Sequence, residues 1–407
     1  IQRWFLLQKF AQPHHWNQAI SLQMGHGAPI DEQRLRKALS VLSQHHDMLR
    51  CQFTCDNCGT WTQSIPEEHK FDPQLVIIDA QTASQMHTAL TALQGSLDIF
   101  HGPVWAAGLV RLRGMPDRVV LVFHHLVIDA VSWRILEEDI TLAYNGNALP
   151  HKTSSFQAWS EALNRHLLLE RSWTRPEYPP MGRVDAQIEA HTRIMSRQEY
   201  VDVTLSVKAT ESLLTTANKA FRTRPQELML TVLLIAYQEW SGGQKQLAVL
   251  IEGHGREQFD DSLEVSRTVG WFTALWAVCL ELEDSSDTVA DVICGVEEQL
   301  RSVPEHVRNY GLPCFDSSDI AAFPELVFNY LGQFHGAEEV EQVGRQGLIM
   351  DDGELGEESG MQNHVNEKLD LNGSVVDGRL VMTWGFDEVE YRRSTIQEFA
   401  DAWEQAM

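Results

Sequence analysis

Apolar positions along this chain recur with two periods. Behind Asp31, the residues Leu35, Ala38, Leu39 and Leu42 fall at helical spacing, which predicts a helix over 31–46. "LRCQFT" and "TWTQSI" alternate and flank a turn, as a hairpin does. "VWAAGLVRLR" and "RVVLVFHH", joined by "GMPD", predict a second hairpin whose last strand ends on His124 and His125. A helix "SWRILEEDITLAY" follows, with Ser132 as its expected cap, and another spans roughly 155–169. The proline-rich "RSWTRPEYPPMGRVD" (171–185) breaks periodicity and reads as a linker. Beyond it come a strand near Tyr200–Val207, two helices, the second being "QELMLTVLLIAYQEW", and a buried strand "QLAVLIEGHG". "TALWAVCLEL" and "PELVFNYLG" read as strands, 286–303 as a helix, and "SVVDGRLVMTW" as a hairpin turning at Asp377-Gly378. A last helix closes the chain. Each half mixes helices and strands, so the expectation is two α/β lobes, 1–175 and 176–407, without a clear internal repeat.

Composition narrows the function. The chain has 407 residues, 43% hydrophobic and 22% charged, enough for a sizeable core. No apolar run approaches the roughly 18 residues of a membrane span, and no signal peptide is visible. The opening "IQRWF" lacks an initiator Met, which suggests a piece of a longer protein. The formal charge of -25 argues against nucleic acid as a partner. Part of it lies in the acidic stretch 337–360, which reads as a solvated loop. Six cysteines are scattered, as in a reducing, cytoplasmic compartment. Cys55 and Cys58 have half the spacing of a zinc site but no matching second pair, so "CDNC" reads as a turn and no metal is expected.

Chemistry concentrates at two strand ends. In "LVFHHLVIDAVSWRIL", alternation puts His125 on the face of Phe123 and His124 on the face of Val122, so the two rings do not readily share a metal. One ring can enter a site while the other packs, or both are simply satisfied at a strand end. In "LIEGHGRE", Glu252 and His254 share a face, and a carboxyl there is costly unless paired or functional. Glu252 either pairs with Arg256 or Arg267, or it faces the histidine strand across a lobe interface. An acid and an imidazole so placed suit proton transfer at a carbon between them.

These stretches resemble a known family. "HHLVIDAVSW" matches the His-His-x-x-x-Asp-Gly motif of the condensation-domain superfamily, in the Val-Ser-Trp form frequent in the epimerization domains of nonribosomal peptide synthetases. "EGHGRE" (252–257), "RTVGWFT" (267–273) and "FNYLGQ" (328–333) resemble three motifs of the epimerization branch, and "IQRWF" resembles the family's first motif. The resemblance covers nearly the whole chain. Ala130 stands where the motif has Gly, "VPEHVRNYG" lacks two glycines of a family motif, and Glu227 replaces a usual Asp.

The resemblance implies a fold of two chloramphenicol-acetyltransferase-like lobes forming a V-shaped pseudo-dimer, with a central tunnel at their junction. It implies epimerization, usually L to D, at the α-carbon of an aminoacyl or peptidyl thioester. That substrate arrives on the phosphopantetheine arm of a carrier domain, beside other synthetase domains, so the chain needs no cofactor of its own. His125 and Glu252 are the implied proton carriers, with the order between them open. Tyr330 and Asn329 are candidate donors to the enolate oxygen, Tyr330 by family motif. His124 is a supporting residue, and Asp129 is expected to pair with Arg256 and tie the histidine loop to the other lobe. Trp271 and Phe272 pack or line the tunnel. Two other readings share the fold: a condensing enzyme that forms amide bonds and has no need of "EGHGRE", and an inactive module that only docks a carrier.

Overall fold

A computed structural model describes the chain apart from residues 67–73, 168–176, 190–191, 284–287, 312–322 and 334–346. It forms two compact units. The first comprises Ile1–Leu169, Arg256–Phe272 and Glu338–Asn363; the second comprises Glu170–Gly255, Thr273–Ala337 and His364–Met407. The sequence suggested one boundary at 175/176 with the later motifs whole in the second lobe. Instead "EGHGRE" and "RTVGWFT" are each divided between the units. The reason is apolar: Val269, Trp271 and Phe272 are buried in the core of the first unit.

The first unit is built on a five-stranded sheet, in the order Leu348–Asp351, Asn17–Met24, Arg118–His124, Trp105–Leu112, Leu75–Ala80. The histidine strand, Arg118–His124, is antiparallel to both neighbours. Its odd positions Val119, Leu121 and Phe123 enter one core cluster, and Val120 and Val122 enter another. Burial on both faces explains why it reads as a continuous apolar run. Asp31 caps the helix Glu32–His45 by accepting from the N–H groups of Gln33 and Arg34. The helix after the histidines starts at Ala130, and its cap is Asp129 rather than Ser132, which lies inside the first turn and donates its N–H to Asp129. Leu348–Asp351 is an edge strand, and Trp16 bridges Ser359, so the described part of the acidic stretch is ordered against the sheet rather than a solvated loop. Among the contacts that hold it there, Leu348 is buried, Asp351 pairs with Arg118, and the Ala19 N–H donates to the Glu358 carboxyl.

The second unit is built on a six-stranded sheet, in the order Gln198–Thr204, Arg379–Asp387, Leu369–Val376, Leu326–Gln333, Gln246–Gly253, Ala274–Glu281. The three strands Leu369–Val376, Leu326–Gln333 and Gln246–Gly253 run parallel. Asp377 and Gly378 both have positive φ, as a two-residue hairpin of this type requires. One sheet face, carrying Val249, Ile251, Phe328, Leu371 and Trp384, packs on helices that include Pro225–Trp240. Of the expected linker, 171–176 lie outside the described residues, and 177–185 contain no helix or strand. Cys55 and Cys58 sit at the exposed turn between Gln52–Cys55 and Trp61–Ser64.

Candidate active site

The strand Arg118–His124 delivers its two histidines to different surroundings. His124 is fully buried, and Nε2 donates to the Pro13 carbonyl at 2.8 Å while Nδ1 accepts from the Leu126 N–H at 3.2 Å. Burial pushes its pKa down to about 3, so the ring is neutral and both nitrogens are spent on the backbone. His125 begins the turn His125–Val127 and is half-buried. Its ring lies 4.9 Å from Trp16 and 4.5 Å from Trp271, centroid to centroid. Nδ1 is 3.0 Å from the Ile128 carbonyl, and Nε2 is 3.1 Å from the Gln18 amide nitrogen. Burial holds its pKa below the ordinary histidine value. Trp271 therefore packs, as one of the two choices the sequence left open, and what it packs on is the His125 ring.

Asp129 acts in the scaffold. Arg256 Nη2 reaches its two carboxylate oxygens at 2.9 and 3.0 Å. The Phe272 N–H and the Ser132 N–H and hydroxyl donate to the same carboxylate. Arg256 also donates to the carbonyls of Val265 and Thr268, and its guanidinium lies 3.9 Å over the Phe272 ring. The pair forms inside one compact unit, because Arg256 packs with the first unit and not with the second. Ser132 is buried with its hydroxyl engaged by Asp129, Gly270 and Arg256, an arrangement that suits a strut rather than a nucleophile.

Glu252 lies near the end of Gln246–Gly253 in the second unit, paired across from Leu275. The parallel register sets Val327 beside Leu250 and Phe328 beside Ile251, so Asn329 comes next to Glu252 and shares its face. Asn329 in turn pairs with Asn372, and Val327 with Asp370. This face thus gathers Glu252, Asn329, Asp370 and Asn372, opposite the apolar face of the same sheet. Burial first, and the Glu367 carboxylate second, raise the pKa of Glu252 to about 7. Burial likewise raises Glu367 and Asp370, and the mutual repulsion of the three carboxyls raises Asp370 further. Tyr330 follows Asn329 and turns the other way, packing its ring against the core beside Gly373. Arg256 and Arg267 are taken by Asp129, and by Glu138 and Asp139, so neither ion pair considered for Glu252 forms.

His124, His125, Asp129 and Arg256 thus gather in the first unit, and Glu252, Asn329 and Tyr330 in the second. An open cleft of the first unit, with about 330 Å³ of empty space, contains none of them; His45, His46, Lys152 and Arg267 help line it. There, His45, His46 and Asp139 offer ligand atoms within 4.8 Å of one another. Both Asp139 oxygens are already used, by His46 at 2.9 Å and Arg267 at 2.6 Å, and the guanidinium opposes a cation. Sequence reasoning missed Trp16, Gln18 and Trp133 around His125, and Glu367, Asp370 and Asn372 around Glu252. "EKLDLNG" carried a usable signal, since Leu369 and Leu371 alternate with Asp370 and Asn372.

Comparison with known proteins bears on the whole chain. The Condensation domain family model matches residues 1–407. Surfactin synthase subunit 2 of Bacillus subtilis is 32% identical over 419 residues, covering 98% of this chain and 11% of that protein. Gramicidin S synthase 1 of Brevibacillus brevis is 31% identical over 438 residues, covering 100% of this chain and 39% of that protein. The chain therefore spans less than half the length of either relative. Among solved structures, the epimerization domain from the third module of tyrocidine synthetase B superposes with a TM-score of 0.85 at 27% identity, covering 99% of this chain and 94% of that one. The condensation domain from Monacolin K polyketide synthase superposes with a TM-score of 0.78 at 14% identity, covering 100% and 94%, a likeness of fold. The mixed α/β class expected from the sequence is the class these structures share. No helix among the described residues is long and apolar enough to cross a membrane.

Proposed function

The chain belongs to the condensation-domain family, and from that premise we propose that it is an epimerase, inverting the α-carbon of an aminoacyl or peptidyl thioester held on the phosphopantetheine arm of a partner carrier domain. The likeness to an epimerization domain over 99% of the chain carries this reading. The carboxyl at Glu252 adds to it, because a condensing enzyme has no evident use for an acid poised near neutrality.

Sulfur conjugates weakly with the thioester carbonyl, so the α-hydrogen is acidic enough for a side chain to remove. One side chain takes the proton, the C–H electrons move into the carbonyl as an enolate, and a second side chain returns a proton to the other face. No oxidant or metal enters this balance. Resting protonation divides the labour. His125 is neutral and able to accept, because burial lowers its pKa. Glu252, with its pKa raised to about 7, carries a proton to give in a large share of molecules at neutral pH. We therefore assign the first proton to His125 and the return to Glu252. Asn329 shares a sheet face with Glu252 and is the enolate donor that the register favours over Tyr330. Asp129 and Arg256 hold the turn that carries His125.

The test is to incubate the domain with an L-aminoacyl carrier protein in heavy water. Deuterium at the α-carbon together with D-product is the expected result. The family model itself favours a second reading, an amide-forming condensation domain. Amide product from two loaded carriers, with no α-exchange, would replace the epimerase reading by that one. Carrier binding without either reaction would leave a docking module.

A further inference from the structure

A chain of three polar contacts in the first unit passes through His125. Trp133 Nε1 lies 3.0 Å from Gln18 Oε1, Gln18 Nε2 lies 3.1 Å from His125 Nε2, and His125 Nδ1 lies 3.0 Å from the Ile128 carbonyl. The two ends have fixed polarity, since an indole N–H only donates and a peptide carbonyl only accepts. If the Gln18 amide turned over, its NH2 would meet the indole N–H, donor against donor. The amide therefore presents its NH2 to the imidazole. From the other side, the Ile128 carbonyl requires the ring proton on Nδ1. Both constraints select one tautomer, with the proton on Nδ1 and the lone pair on Nε2.

Local structure explains how the chain builds this. Gln18 pairs across from Phe123, and the Trp16 carbonyl accepts from the His125 N–H, so Trp16, Gln18, Phe123 and His125 project from one face. Trp133, in the helix that Asp129 caps, meets the Phe123 ring edge-on at 5.2 Å, which brings its indole N–H over Gln18. His124 has the opposite tautomer, with its proton on Nε2 toward Pro13.

We propose that Gln18, oriented by Trp133, is a positioning residue that fixes His125 as the Nδ1–H tautomer and so makes Nε2 the atom that takes the substrate's proton. The proposal rests on the reading of His125 as a proton carrier. An imidazolium would turn an Nε2–H toward the Gln18 NH2, so the amide keeps the ring neutral until substrate takes its place.

The experiment measures ring nitrogen shifts in the domain labelled with 15N-histidine at neutral pH, with the His125 signals identified by their absence in His125→Gln. A protonated Nδ1 and an unprotonated Nε2 are expected. A proton on Nε2 overturns the proposal. Gln18→Glu replaces the donor by an acceptor, and both ring nitrogens should then be protonated at pH 7, with α-exchange reduced on the order of a hundredfold. Unchanged ring shifts in that variant also overturn it. If Gln18→Glu does not fold, Gln18→Leu is read instead: without the amide donor the Nε2 shift should move toward the protonated value, and unchanged ring shifts there overturn the proposal. A wild-type domain with the expected tautomer but no exchange on any carrier substrate sinks the epimerase reading and leaves the Gln18 restraint standing.

Discussion

His125 sits between two indole rings with a hydrogen-bond partner on each ring nitrogen, whereas Glu252 sits on a sheet face beside further carboxyls. Both groups end apolar strands, and both are shifted toward neutrality, but by different physics. For the imidazole, burial among aromatics disfavours the cation and two neighbours dictate which nitrogen is free. For the carboxyl, burial disfavours the anion and a like charge at Glu367 adds to the effect. Aromatic packing fixes the ring's geometry tightly, while the carboxyl cluster sets a proton affinity more than an orientation. The difference teaches that an imidazole and a carboxyl can both be held near neutrality by unlike surroundings.

The largest expected effect separates proton chemistry from packing. His125→Ala and Glu252→Gln should each lower α-hydrogen exchange by on the order of 10²–10⁴-fold. Gln preserves the shape of a protonated Glu252 but gives up no proton, so its circular dichroism and its urea midpoint near pH 4, where folded and unfolded chains both hold that proton, should match the wild type. Exchange within tenfold of wild type in Glu252→Gln would remove the acid from the mechanism and collapse the comparison to one active strand end.

Asp129→Ala tests the scaffold on the histidine side. It leaves the Arg256 guanidinium buried with its carboxylate partner gone and uncaps the helix Ala130–Tyr144. Loss of one member of a buried pair costs about 3–5 kcal/mol, read from urea unfolding. Activity should fall with the order of the loop, and a variant that keeps wild-type stability yet is inactive would instead give Asp129 a direct part.

How far these regions were legible differs for physical reasons. The helix behind Asp31, the hairpin ending on the histidines and the Asp377-Gly378 turn are local patterns, and each was readable where it stands. The strand Asn17–Met24 was missed, because its polar Asn17, Gln18 and Ser21 interrupt a short apolar alternation. That omission hid Gln18, whose value lies in pairing with a strand about a hundred residues away. The split of "EGHGRE" between units was equally non-local: it depends on where Trp271 and Phe272 find a core. Glu252 stood out as a carboxyl at an apolar strand end, but its neighbours Glu367 and Asp370 follow from the order of parallel strands, which no single stretch encodes. Ser132 was a plausible cap by residue type, and Asp129 won because its carboxylate also collects Arg256 and Phe272.

The smallest expected effect sets the two strands against each other through pH. Glu252 holds its proton up to about pH 7 in the folded state but only to 4.5 when unfolded. Between those values the unfolded chain has lost a proton that the folded one keeps, so stability falls as pH rises, by up to roughly 3 kcal/mol. Glu358 is also raised to about 7, by burial, and contributes to the same limb. Glu252→Gln should therefore flatten the limb only in part. His124 works in the reverse sense: its folded pKa of about 3 lies below the ordinary 6.5, so stability falls as pH drops through that window, where only the unfolded chain takes the proton. His124→Phe should lower the whole curve, since the Pro13 carbonyl and Leu126 N–H lose their partner, and should flatten its acid limb. Urea midpoints from pH 4 to 8 measure both slopes. An unchanged alkaline limb in Glu252→Gln would mean that its carboxyl is solvated like any other, and the carboxyl face would then have no claim to be the acid counterpart of His125.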